Sequence, residues 1–201
     1  MGRITPRRPS HRAPAAHPIP DDGRFRELLL YIASVSEGDT GFGLIKLNKL
    51  MFFADFLAYL HHGRSITGQE YKALEHGPVP RGVKPMLARM ERERALHIRV
   101  AGFHGYEQHR PIALREPLLA GFTADQIALV DRIVKQWWGK TAAEISGMSH
   151  RFIGWESTPR GATIPYAVAL VGKREPTTEE RARGLKLEGL ARRNLASVRK
   201  A

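Results

Sequence analysis

His76, Asp55 and any of several serines are the residue types of a nucleophilic triad, in which an imidazole takes the proton of a hydroxyl and a carboxylate orients the imidazole. The frame for that chemistry is missing. The chain has no G-x-S-x-G elbow and no alternation of strands and helices to carry one. Nine histidines invite a metal reading. There is, however, no HExxH, no H-x-E joined to P-C-x-x-C, and no His pair at i, i+4 on a helix. His61 and His62 are adjacent, so on a helix they point about 100° apart. "GFGLIKLNK" and "GFHG" hold glycines without forming a phosphate-cradling loop. With no cysteine, disulfides, thiol nucleophiles and Cys-ligated metals are excluded. The expectation is a protein that is not an enzyme, with no cofactor and no metal.

The stretch "YKALEHGPVPRGV" concentrates His76, Gly77, Pro78 and Pro80. Glycine permits backbone geometry closed to other residues, Pro78 fixes φ, and Pro80 suits a helix start. The segment reads as a rigid strand-to-helix corner, with His76 bonding across it and not acting as a base. "MSHRFIGWE" reads as a second corner, placing His150 and Trp155 just after a short helix.

Hydrophobic spacing supplies the elements that must hold these corners. The Asp21-Asp22 pair suits a helix N-terminus, and Phe25, Leu28, Leu29, Ile32 and Val35 predict a helix from Asp22. "LIKLNKLMFFADFLAYLHHG" predicts the strongest helix, about Leu44 to His62, with Gly63 as its stop. It is apolar round most of its circumference except at Lys46, Lys49 and Asp55, so it is expected to be central. A third helix is expected over about Arg81 to Ala95 with Val83, Met86, Leu87 and Met90 inward. A hairpin follows, with Leu96, Ile98, Val100, Ile112 and Leu114 as its apolar positions. Thr123 with Gln126, and Thr141 with Glu144, are capping boxes opening two more helices. The fold class expected is mainly α (α+β): a helical domain with a small antiparallel sheet or hairpin.

The 201 residues suffice for one domain, here 21–172, between two basic ends. Residues 1–20 hold four Arg, five Pro and no acid, a composition expected to be disordered. Residues 173–201 carry nine basic and four acidic side chains, with Thr177 and Glu180 as a capping box and Leu187, Leu190, Ala191, Leu195 and Val198 as an apolar row. Three-quarters of the net charge of +12 lies in these ends. Nucleic acid would therefore bind only weakly, through the tails, with steep salt dependence. No apolar run approaches the ~20 residues of a membrane span, and no h-region follows Arg7 and Arg8, so a cytoplasmic location is expected.

"IKLNKLMFFADFLAYLHHGRSITGQEYKALEHGPVP", followed by "TAAEISGMSH", "GWE" and "IPYAVAL", resembles in ordered motifs the SocA-like antitoxins, or Panacea domain, over about residues 24–172. The resemblance implies a bacterial, sometimes phage-associated toxin–antitoxin system. In it the protein neutralises a cognate protein toxin by contact, or hands the toxin to a protease. The motif positions it marks as partner-binding are Lys49, Phe53, Asp55, His76, Gly77, Pro78, His150 and Trp155. A nucleic-acid-binding or phage-associated regulator is the rival reading, and a hydrolase built on Asp55 and His76 ranks third.

Overall fold

A computed structural model describes residues 18–103, 105–171, 177–179, 181–183 and 185–186. The chain divides into two units, residues 1–171 and 172–201. In the first unit, six α-helices and two hairpins are described: α1 Asp22–Val35, α2 Leu44–His62, β1 Tyr71–Leu74, β2 Gly77–Pro80, α3 Val83–Arg92, β3 Leu96–Phe103, β4 Tyr106–Ala113, α4 Ala124–Gln136, α5 Ala142–His150 and α6 Ile153–Glu156. A 3-10 turn at Tyr166–Leu170 follows. The mainly helical class with small antiparallel sheets is the one observed.

The expected signals set the helix ends. Asp21 caps α1 by accepting the Arg24 amide at 2.9 Å. Gly63 ends α2 at φ 69°, in the left-handed region glycine tolerates. Thr123 with Gln126 and Thr141 with Glu144 form complete capping boxes on α4 and α5. Helix α2 is the centre of the unit, packed against α1, α4, α5, β2 and the Tyr166–Leu170 turn. Four of its side chains, Leu47, Leu50, Met51 and Phe52, are buried completely or almost so.

The segment expected to be a strand-to-helix corner is instead a hairpin. β1 and β2 pair antiparallel from Tyr71↔Pro80 to Leu74↔Gly77, leaving Glu75 and His76 as the turn. Pro80 closes β2 and does not start a helix. Two further residues intervene, and α3 is shorter than expected, beginning at Val83 after Gly82 at φ 75°. The prolines fit this strand. Tyr71 and Ala73 use their backbone groups on the other edge: the Ala73 amide donates to Ala162 O, and the Gly161 and Ile164 amides donate to Ala73 O and Tyr71 O. That leaves Lys72 and Leu74 to pair with Val79 and Gly77, which have amides. Pro78 and Pro80 lie where no ladder donor is needed.

The second hairpin pairs Leu96↔Ala113 through Phe103↔Tyr106. Leu96 is buried and Ile98 partly so, whereas Val100 and Leu114, expected among its apolar positions, are about half exposed (52% and 54%). The hairpin runs out past the core, although Gln108 in its outer half still donates to Thr40 O at 3.1 Å. Buried Arg110 anchors it, donating to the carbonyls of Asp39 (2.8 Å) and Glu37 in the α1–α2 loop.

In the second unit the described residues 178–179, 181–183 and 185–186 are helical. The Arg181 amide donates to Thr177 O at 2.9 Å, which fits a helix opening at Thr177. Glu180 and the apolar row Leu187, Leu190, Ala191, Leu195 and Val198 lie outside the described residues, as do residues 1–17 of the basic N-terminal stretch.

Candidate functional site

The three polar exceptions on α2 are all buried, and each has a different environment. Asp55 is fully enclosed. Its Oδ1 accepts the amides of Ile66 (2.8 Å) and Thr67 (2.7 Å), and its Oδ2 accepts the Thr67 hydroxyl at 2.5 Å. Tyr71 Oη stands 2.7 Å from Oδ2 and 2.9 Å from Met51 O. Burial pushes the Asp55 pKa up, against the hydrogen bonds that pull it down. A proton on Oδ2 has an acceptor in the Tyr71 oxygen, because that hydroxyl can turn its own hydrogen to Met51 O. Asp55 thus ties the loop after α2 to the helix. Its hydrogen bonds go to Ile66, Thr67 and Tyr71, and none of them reaches His76.

Lys46 is 1% exposed and fully answered. Its ammonium lies 2.5 Å from Asp39 Oδ2, 2.7 Å from Trp137 O and 2.9 Å from Lys140 O. It fastens the start of α2 to the loop before it and to the end of α4.

Lys49, one turn further on, is equally buried and has no carboxylate. Among the described residues its single acceptor is Pro78 O at 3.2 Å. Beside it lies Gly77 at φ 98°. A Cβ at Gly77 would fall 2.6 Å from Ser149 Oγ, 2.7 Å from Lys49 Cε and 2.9 Å from its Nζ. Gly77 is therefore needed on two counts, φ and space. Burial pushes the Lys49 pKa down to about 8.

Because the unfolded chain holds this proton up to the ordinary lysine value of 10.5, stability rises with pH between about 8 and that value. The rise amounts to roughly 3 kcal/mol. Lys49→Met, similar in length and uncharged, is expected to be at least as stable as the wild type at neutral pH and to lack this rise. Denaturant midpoints of the two proteins across that window check it, and parallel profiles would refute it.

His76 departs from expectation. Its side chain is exposed at the hairpin turn, and only its backbone carbonyl is engaged, by Ser146 Oγ at 3.4 Å. No buried hydrogen bond of the imidazole crosses the corner. His150 and Trp155 do form a built feature. Their rings stack at 3.9 Å and 12°, Trp155 Nε1 donates to Leu74 O at 3.1 Å, and the Arg160 guanidinium lies 4.6 Å over the indole. His150 Nε2 is enclosed and without a partner. Burial, reinforced by Lys49, Arg160 and His76, holds the His150 pKa below the ordinary imidazole value.

Six of the marked residues, Lys49, His76, Gly77, Pro78, His150 and Trp155, thus meet at one corner of β1–β2, α2, α5 and α6. Phe53 and Asp55 do not. Phe53 packs edge-on against Trp137 at 4.3 Å, and Asp55 faces the 66–71 segment. Sequence reasoning missed Asp39, Arg160 and the role of Ser149 in the corner. Arg160 had no spacing signal, since it comes to the corner only through a loop.

Next to the corner, an open groove of about 810 Å3 runs between the starts of α2 and α5 and the outer part of β4. Leu44, Ile45, His109, Ala142 and Ser146 line it, with His76 at its edge. Among the described residues no three metal-ligating side chains cluster, and no helix is long and apolar enough to cross a membrane.

Compared with known proteins, the chain matches a family model described as antitoxin SocA-like, Panacea domain, over residues 47–156. The match spans β1–β2, α5 and α6, and with them the six marked residues of the corner, while Lys46, Arg160 and the Ile164–Tyr166 motif fall outside it. No curated protein and no solved structure matches.

Proposed function

The chain belongs to the SocA-like antitoxin (Panacea domain) family, and on that premise we propose that the protein neutralises a cognate protein toxin by direct contact. The observation that carries the reading is the family match, whose span takes in the corner residues from Lys49 to Trp155. There a tight hairpin tip, Leu74 to His76, stands exposed while its backbone is fixed by Trp155, Ser146 and the Gly77–Lys49 packing. A preformed tip flanked by Trp and Arg has the composition of binding hot spots, and its rigidity reduces the entropy lost on docking. The groove beside it offers apolar area for the same partner. Handing a bound toxin to a protease is compatible with this contact and adds no requirement on the corner.

The test is co-expression with the product of the neighbouring gene. Growth arrest caused by that product is expected to be relieved by the wild-type chain. His76→Ala alters an exposed side chain, so it should change stability by no more than about 0.5 kcal/mol while weakening rescue. Persistent arrest in the presence of abundant folded protein, or full rescue by a variant with the tip residues Leu74 and His76 both replaced by alanine, counts against the proposal.

A further inference from the structure

Four side chains able to carry positive charge converge on the corner from four parts of the chain: Lys49 from α2, His76 from the β1–β2 turn, His150 from the end of α5, and Arg160 from the loop after α6. Among the described residues no acidic side chain pairs with any of them. The ion pairs formed by Arg26, Lys46, Arg81, Arg89, His97 and Arg115 lie elsewhere. Glu75 and Glu156, beside His76 and Trp155 in sequence, are exposed and enter no ion pair among the described residues.

The corner also has donors in surplus. Lys49 Nζ has three hydrogens and one long bond, and His150 Nε2 is enclosed with no partner. Lys46 is the internal comparison: on the same helix and equally buried, it has a carboxylate and two carbonyls. A buried cation without a counter-charge is costly, and the cost is relieved by an anion brought to it.

We propose that the corner is a receptor for a carboxylate presented by the partner protein, an Asp or Glu side chain of an acidic segment that seats against Arg160, His76 and His150. Lys49 acts on that carboxylate from beneath Gly77 through its field, which the low-dielectric surroundings preserve. The choice of an acidic occupant rests on charge complementarity, and its source, a protein, rests on the function proposed above. A carboxylate arriving here favours the imidazolium, so occupancy raises the His150 pKa.

Histidine resonances of the full-length protein, titrated with an oligoglutamate peptide, test this. Saturable shifts of His76 and His150, with a rise in the His150 pKa, are expected. Oligoglutamine should leave both unchanged. Arg160→Gln and Lys49→Met should each weaken the peptide by about tenfold or more. Arg160 is exposed, so its variant leaves the core untouched and decides the matter independently of Lys49→Met. Binding that ignores both variants and leaves His150 unmoved would place the peptide on the basic ends and overturn the proposal. Equal shifts with inorganic phosphate at the same concentration would overturn the protein source. Rescue on co-expression that survives both substitutions removes the receptor and keeps the antitoxin role. Peptide binding that depends on both residues, with no arrest relieved, does the reverse.

Discussion

Asp55→Ala is expected to cost the protein most of its stability. The substitution leaves the amides of Ile66 and Thr67 and the Thr67 hydroxyl enclosed without an acceptor. Each such orphan costs about 1–3 kcal/mol, against a total of only about 5–15 kcal/mol for a domain. The damage is local in origin and wide in effect. Asp55 fixes the turn that delivers Tyr71 into the core, where its ring packs edge-on against Phe52 at 5.4 Å and Phe56 at 5.7 Å. Asp55→Asn should be far milder. Its Oδ1 still accepts both amides and its NH2 can donate to the Tyr71 oxygen, so that only the Thr67 hydroxyl loses its acceptor. Chemical denaturation of the two variants checks the order. Equal losses would mean that the negative charge, and not the acceptor geometry, is what the site uses.

Lys46→Met is the second large effect, expected at about 3–5 kcal/mol. It removes the cation and leaves Asp39, itself 1% exposed, with only the amides of Gly41 (3.0 Å) and Gly139 (3.3 Å). The carbonyls of Trp137 and Lys140 lose their donor as well. The contact joins the α1–α2 loop, the start of α2 and the end of α4, so its loss should loosen the core around Trp137. Replacing Asp39 by Leu together with Lys46→Met should recover a large part of the loss, because an apolar pair of similar volume does not carry the desolvation penalty of a buried charge. A double-mutant cycle measures the coupling. A double variant no more stable than Lys46→Met would show that the backbone groups left unpaired, the Trp137 and Lys140 carbonyls and the Gly41 and Gly139 amides, outweigh the ion pair. The contrast with Lys49→Met, expected to cost nothing at neutral pH, is the sharpest outcome: two lysines one turn apart on one helix respond in opposite directions.

Local sequence determined the elements whose signals are local. Asp21, Thr123 and Thr141 cap helices because a side-chain oxygen reaches an amide three residues on, and Gly63 stops α2 because its φ suits glycine; all four are legible from neighbours alone. The length and apolar girth of α2 likewise announced a central helix. The hairpin at Glu75–His76 was less legible. Two prolines in four residues argue against a strand until it is known that the other edge of β1 is taken by residues 161–164, which puts Pro78 and Pro80 at positions needing no donor. That knowledge is tertiary. So is the difference between Lys46 and Lys49: periodicity marks both as polar intrusions, but only the fold brings Asp39 and two carbonyls to one and leaves the other facing Gly77 and Ser149. The ordered motifs carried the family, since they are properties of the chain. The gathering of His76, His150, Trp155 and Arg160 was decided by the packing of α5, α6 and the following loop against β1–β2, because contacts between residues seventy or more positions apart leave no period in a sequence.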